Sequence, residues 1–448
     1  MKTPICDFVT QYAQEKTLRL HMPGHKGAGS LGVEQWDLTE IDGADVLYHA
    51  DGILRESQEN AATLFGSGKT LYSTEGSSLA IRAMVYLLTL YAKKEGRRPL
   101  IAAGRNAHKT FMTAAALLDA EVAWLYPRNE EGLLSCDIRP EELEQDLLQM
   151  EPRPLAVYLT CPDYLGNMLD VRGISEVCHR YGVLLLVDNA HGAYLRFLPR
   201  SLHPMDLGAD LCCDSAHKTL PVLTGGAYLH IAPSAPKLFY EQSEQAMALF
   251  ASTSPSYLIL QSLDAANAYL AEGYREKLAN AVERIGQLKE RIAMAQVGRE
   301  PLKLTLAPKS YGYLGTELAE ILQEKGIVCE FSDPDFVTMM LSPEMTEGDF
   351  ARLQTTLCAV ERKEPIFVMP PPFPKAVRCM TPKEALFTPS RDLPARDCLG
   401  KILASACVTC PPAIPVLVCG EQINEEAIAC FEYYGIAHCR VLDAKADM

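Results

Sequence analysis

Apolar and polar residues alternate along the middle of the chain with two different periods. Short apolar runs in RRPLIAAGRNAHK, EVAWLYPRN, PLAVYLTCPDY, GVLLLVDNAHG, GADLCCDSAHK and GGAYLHIAP each give way to a polar cluster, the pattern of a buried strand and its exit. Between several of them lie amphipathic segments. In VRGISEVCHRYG, Ile174, Val177 and Tyr181 recur at helical spacing and Gly182 is placed to close the helix. Strand and helix alternating in this way predict an α/β domain built on a mainly parallel, buried sheet. Ligands of such sheets bind beyond the carboxyl ends of the strands, where the polar clusters fall here.

A long helical pattern, rich in Ala, Leu, Glu and Lys, follows from about Ser262 to Ile292. From about Pro301 to Glu361 short strand-like runs (VCEF, FVTMML) and helices return, and EPIFVMPPPFPKAV is a proline-rich joint that suits neither a helix interior nor a central strand. The expected organisation is an N-terminal segment over 1–60, a large domain over 61–290 and a smaller α+β C-terminal region over 291–448.

With 448 residues, 48% of them hydrophobic, the chain can bury a large core. Its start carries no continuous apolar segment, and no stretch reaches the roughly 18 apolar residues of a membrane helix, so no membrane partner and a cytoplasmic location are expected. A net charge of −15 without a long basic tract argues against nucleic acid and leaves small molecules as the expected partners. The 15 cysteines, an odd number in a long chain, read as reduced thiols. CVTC at Cys407 to Cys410 has the spacing of a metal knuckle or redox pair, but no second pair and no histidine stands at ligand spacing, so no metal is expected.

Asp188 follows four apolar residues in LLLVDNAHGAYL, which places a carboxylate at the mouth of a buried strand, where an ionised group calls for a cation. Lys218 in CCDSAHKTLP stands at the exit of another strand, and His108 in GRNAHKT at that of a third. In YSTEGSSLAIRAM a polar turn, Thr74 to Ser78, opens directly into a helix, whose free N–H groups and hydroxyls suit a phosphate. Pyridoxal 5′-phosphate needs these four things: a lysine for its Schiff base, an acid at its pyridine nitrogen, a flat group on its ring and an anchor for its phosphate. Lys218, Asp188 and His108 fill the first three roles, and Ser77, Ser78 and Ser215 the fourth. Singly, each has a plainer reading: Asp188 as a helix cap, His108 as a satisfied core histidine, Lys218 as a solvated loop residue, and the serine turn as an N-cap.

The sequence resembles the Orn/Lys/Arg decarboxylase family, fold-type I PLP enzymes related to aspartate aminotransferase. The matching motifs are LRLHMPGHKG, DLTEIDGADVLYHADGIL, TEGSSLAIRAM, GRNAHKT, DNAHGAYL, SAHKTLPVLTGGAYLH, STSPSYLILQSLD and PPAIPVLVCGE, in family order from residue 18 to 421. The resemblance implies a transferase-like large domain in which Lys218 holds the cofactor, with His217 and Ser215 beside it. It further implies that Asp188 meets the pyridine nitrogen while Ala190 lies against the ring and His191 beside it. Thr253 and Ser254 of the TSP segment would reach the phosphate of a second subunit, which implies a homodimer with shared active sites, or an assembly of such dimers. Inducible bacterial members carry an N-terminal wing domain. This chain begins close to MPGHKG and is similar to the wingless branch related to Bacillus-type arginine decarboxylases. It departs from the family in PPAIP, where a glycine often follows the prolines, and in GGAYLH.

The implied activity is decarboxylation of arginine, lysine or ornithine to a polyamine precursor and CO2. Glu421, and after it Glu330 and Asp333, are the acidic candidates for the substrate's distal cation. An aminotransferase or lyase on the same fold would use the same lysine, aspartate and histidine, and a non-catalytic PLP-binding protein is the reading that would need no chemistry at all.

Overall fold

The computed structural model describes residues 1–127, 136–410 and 414–443, apart from the side chains of Thr409, Cys410 and Ile414. Its first seven strands are β1 (Lys69–Ser73), β2 (Leu100–Gly104), β3 (Glu121–Leu125), β4 (Ala156–Thr160), β5 (Leu184–Asp188), β6 (Leu211–Asp214) and β7 (Ala227–Ile231). The apolar runs read from the sequence supply β2 to β7. β1, KTLYS, escapes that reading because its side chains are mostly polar; it is nonetheless buried from Thr70 onward. The first eleven helices are α1 (Pro4–Gln14), α2 (Ile53–Phe65), α3 (Ser77–Lys94), α4 (Lys109–Leu117), α5 (Pro140–Gln149), α6 (Val171–Arg180), α7 (Pro204–Leu207), α8 (Ala216–Thr219), α9 (Lys237–Ala248), α10 (Tyr257–Ala271) and α11 (Tyr274–Arg291).

The chain forms two compact units that interleave in sequence. The first comprises residues 1–99, 154–161 and 171–276, the second residues 100–153, 162–170 and 277–448. In the first unit the strands run in the order β1-β7-β6-β5-β4. β4, β5 and β6 are parallel, with Thr160 opposite Asp188 and Asp188 opposite Cys213, whereas β7 is antiparallel to both β6 and β1. The parallel register brings the carboxyl ends of β5 and β6, and the aspartates that close them, side by side. Helix α3 is apolar around most of its circumference and correspondingly buried, from Leu79 and Ile81 to Leu87 and Leu88, and it ends on Lys93 and Lys94, cations suited to a helix C-terminus. α6 spans the predicted segment, and Gly182 (φ +67°) stands just beyond it, where the left-handed conformation is free of steric cost only for glycine.

The helical pattern of 262–292 resolves into two helices. Gly273, at φ +75°, breaks it between α10 and α11, a turn that helix propensity alone does not reveal.

In the second unit β2 and β3 pair in parallel. The C-terminal part adds β8 (Ala295–Val297), β9 (Lys303–Ala307), α12 (Gly315–Glu324), β10 (Phe331–Ser332), β11 (Val337–Met340), α13 (Glu347–Cys358), α14 (Pro382–Leu386), β12 (Ser390–Pro394), β13 (Cys407–Cys410), β14 (Ile414–Val418), α15 (Glu425–Tyr433) and β15 (His438–Leu442). An antiparallel sheet of order β10-β11-β9-β8 and the pairs β12-β15 and β13-β14 make this region α+β. Leu403, Leu417, Ile423, Phe431 and Val441 pack in its core. The proline-rich joint runs without helix or strand, as its composition predicts.

Candidate active site

In the first unit the sequence-predicted residues gather on the turns that leave β1, β5 and β6. Asp188 closes β5 and is 2% exposed. Its Oδ2 accepts from the Tyr158 hydroxyl at 3.2 Å, and its Oδ1 from Ala190 N at 3.2 Å and Cys213 Sγ at 3.6 Å. Burial and the adjacent carboxylate push the Tyr158 phenol well above its ordinary range, so it stays a donor. Ala190 and His191 are buried beside it.

β6 ends at Asp214, Ser215 follows as the N-terminal flank of α8, and one turn later α8 presents His217 and Lys218. Lys218 is exposed, and its Nζ lies 3.1 Å from Nε2 of buried His191. The lysine is therefore reachable from solvent yet held at its tip by an imidazole. Burial, with the Lys218 charge adding to it, pulls the His217 imidazolium below its ordinary range and leaves a neutral ring. His217 Nδ1 lies 3.0 Å from Gly226 O, and the backbone N–H of the same residue donates to that carbonyl at 3.1 Å.

The turn after β1 carries Gly76 at φ +70°, and α3 starts at Ser77. A Cβ on Gly76 would meet nothing nearer than Ser78 N at 4.0 Å, so the glycine serves the backbone angle and not a shortage of space. Ser215 Oγ donates to Ser77 Oγ at 2.8 Å, bringing two of the predicted phosphate anchors into contact, and Ser78 is the next residue of the same first turn. Gly76 N donates to Gly225 O at 2.7 Å, and Ser252 N donates to the Glu75 carboxylate at 2.6 Å. Three loops are thereby tied together: 74–78, the stretch after α8, and the one bearing Thr253 and Ser254. Thr253 and Ser254 are exposed and do not cap α10, whose N-cap is Ser256.

The donor set fits pyridoxal phosphate. Hydroxyls and the free N–H groups of an 18-residue helix suit a phosphate dianion, and a buried carboxylate and an accessible amine complete the set.

The remaining candidates belong to the second unit. His108 flanks α4 and acts as its N-cap, Nδ1 accepting from Thr110 N at 3.2 Å. Glu330 accepts from the Tyr164 hydroxyl at 2.9 Å. Asp333 is 3% exposed; its Oδ1 takes Asp335 N (2.7 Å) and Phe336 N (2.6 Å), Oδ2 has no partner among the described residues, and burial pushes its carboxyl up to about 7. Glu421 is 3% exposed, and its carboxylate is taken by Arg105, at 3.0 Å from Nη2, and by Val418 N at 2.9 Å. Arg105 is itself 1% exposed, donates to Pro415 O and Val416 O, and lies over the rings of Trp124 and Phe373 at 5.0 and 5.1 Å. The acid proposed for a substrate cation thus already holds a cation of its own chain. Cys407 has its thiol pushed up to about 11 by burial, against the thiolate that metal or redox chemistry needs. The side chain of Cys410, and Pro411 to Ala413 of the PPAIP segment, lie outside the described residues.

Sequence reasoning missed Arg105, and it missed Asp214 with its partners His203 and His230. Asp214 had a visible signal, since it ends an apolar run just as Asp188 does; a buried Arg in GRNAHK has none, because only folding shows which arginine is covered.

A family model described as Orn/Lys/Arg decarboxylase, major domain, matches residues 3–309. The uncharacterized protein YaaO of Bacillus subtilis is 29% identical over 96% of this chain and 93% of its own length, and an arginine decarboxylase of Bacillus subtilis is 28% identical over 96% and 92%. Among solved structures, the lysine decarboxylase LdcF of Francisella novicida superimposes with a TM-score of 0.78 at 18% identity, over 98% of this chain and 81% of that one, a likeness of fold.

Proposed function

The chain belongs to the Orn/Lys/Arg decarboxylase family, and from that premise we propose that it removes the α-carboxylate of a basic L-amino acid, arginine first and lysine or ornithine next. Pyridoxal 5′-phosphate is the cofactor of this carboxy-lyase family. The observation that carries the reading is the gathering, in one unit, of an accessible amine on Lys218, a buried strand-end carboxylate on Asp188 and the hydroxyl-lined start of α3. When bound, the cofactor supplies an electron-withdrawing ring that accepts the electron pair released as the bond from Cα to the carboxylate breaks.

The protein's own groups do the rest. Lys218 Nζ is the point of covalent attachment, and His191 Nε2, 3.1 Å away, receives a proton from it so that the amine is a nucleophile. Asp188 would keep the pyridine nitrogen protonated, an interaction that its burial would strengthen. Ser77, Ser78 and Ser215 would donate to the phosphate, and His108 is the flat group proposed for the ring. CO2 leaves and a proton takes its place at Cα, giving the amine that serves as a polyamine precursor.

Thr253 and Ser254 donate to the phosphate of a second copy in a homodimer, or an assembly of such dimers. Support comes from Leu18, Leu20 and Leu31, large apolar side chains that are 78%, 82% and 81% exposed in the single chain. Glu330 and Asp333 are the acids proposed for the substrate's distal cation. Among the described residues no helix is long and apolar enough to cross a membrane, which suits the cytoplasmic location proposed.

Incubating the purified protein separately with arginine, lysine and ornithine, and measuring CO2 and the amine product, tests the reading. One basic substrate should be turned over with equimolar CO2 and amine. A keto-acid product without CO2, or equal turnover of norleucine, would refute it.

A further inference from the structure

Behind Asp188 lies a polar cluster to which the proposed chemistry assigns no task. The Oδ2 of Asp214 accepts from Nε2 of His203 at 2.9 Å and Nε2 of His230 at 3.1 Å, and all three side chains are fully buried. Its Oδ1 accepts from Asn189 Nδ2 at 2.6 Å. His230 Nδ1 lies 2.8 Å from Thr70 Oγ1.

Three ligand-type groups so close together raise the question of a metal, and His203 answers it. Its Nδ1 accepts the backbone N–H of Met205 at 3.3 Å, so the proton of the neutral ring sits on Nε2, the atom that faces Asp214. A ring that ligates through Nε2 needs its proton on Nδ1, and here Nδ1 faces a donor. The cluster is therefore a carboxylate ringed by donors. Burial alone would raise the Asp214 carboxyl, but the N–H donors of His203 and His230 override it and hold the group well below the usual carboxylate range.

Asn189 links this anion to the proposed site. The residue directly follows Asp188; its backbone N–H donates to Cys213 O at 2.9 Å while its side chain donates to Asp214, so both its backbone and its side chain are fastened to the end of β6. Among the described residues its Oδ1 is buried without a partner, which leaves Asp214 as the side chain's anchor. On the far side, Ala190 N donates to the Asp188 carboxylate.

We propose that Asp214, held by His203 and His230, is a positioning residue that fixes the 188–190 turn through Asn189 and so aims the Asp188 carboxylate at the cofactor's pyridine nitrogen, an inference that rests on the decarboxylase reading above. Asp214 touches neither cofactor nor substrate; its effect passes through the turn.

The test compares pyridoxal phosphate with its 1-deaza analogue, in which CH replaces the ring nitrogen. Each is titrated by absorbance into apoprotein of the wild type, Asn189→Ala and Asp214→Asn. The wild type should prefer pyridoxal phosphate by about tenfold or more, the scale of one hydrogen bond to a charged group. In both variants that preference should fall towards unity. A merely structural role weakens both ligands alike and leaves the ratio unchanged, which overturns the proposal. Asn189→Ala removes the side-chain link while His203 and His230 still hold Asp214, so it decides the matter on the same two outcomes if Asp214→Asn does not fold. A wild type that binds both ligands equally overturns the assignment of Asp188 itself, whereas a wild-type preference retained in Asn189→Ala overturns the link alone.

Discussion

Glu421→Gln separates two roles for one carboxylate. If Glu421 reads the substrate's cation, the change removes a charge-assisted hydrogen bond from the bound state and raises KM about tenfold to a hundredfold, with little effect on folding. The structure points elsewhere. The carboxylate pairs at 3.0 Å with a guanidinium that is 1% exposed, and that guanidinium has carbonyls and aromatic rings as its other neighbours. Removing one partner of a buried pair strands the other charge, a loss of about 3–5 kcal/mol. Glutamine keeps an acceptor oxygen for Arg105 and for Val418 N, which brings the expected loss down to about 2–3 kcal/mol, at or below the lower end of that range. The melting temperature should fall by about 2–6 °C, since the shift per kcal/mol shrinks as a chain lengthens, while KM changes less than about threefold. Arg105→Met in the same background should recover part of the loss, because the stranded charge is gone. Thermal melts of the two single variants and the double variant, with steady-state kinetics on the best basic substrate, provide the readout. An unchanged melting temperature together with a steep rise in KM would refute the structural pairing and restore Glu421 to the substrate.

Lys218→Ala should yield a colourless protein whose turnover is down about 10³-fold or more, and borohydride treatment of the wild type should attach the cofactor to the SAHK peptide; Lys218→Arg should not rescue, since a guanidinium stays protonated. A Lys218→Ala protein with wild-type turnover would end the assignment. Burial pushes the Asp333 carboxyl up to about 7 and that of Asp163 up to about 6. From about pH 4 to pH 7 the folded chain therefore retains protons that the unfolded chain has released, and stability should fall as pH rises across that window. Asp333→Asn keeps the acceptor for Asp335 N and Phe336 N and should flatten the slope, raising stability at pH 8 by about 1–2 kcal/mol. An unchanged slope in urea melts from pH 4 to pH 8 would show that Asp333 does not titrate there.

What the sequence determined by itself is what consecutive residues can encode. Apolar runs ending in polar clusters marked β2 to β7 and placed Asp188, Lys218 and Ser77 at strand exits or a helix start, because strand burial and helix capping are read over a few neighbouring positions. The order of motifs from residue 18 to 421 carried the family, and with it the cofactor. Partners far apart in sequence were decided only by the tertiary structure. Glu421 looked like a free acid until folding placed it on Arg105, 316 residues away. Asp214 ends an apolar run as Asp188 does, but only the fold enclosed it with His203 and His230. β1 was hidden by its polar letters, and one glycine, Gly273, divided a pattern that reads as a single helix. For Glu421 and Asp214 the deciding quantity is the desolvation of a charged group, and that depends on what the rest of the chain lays over it.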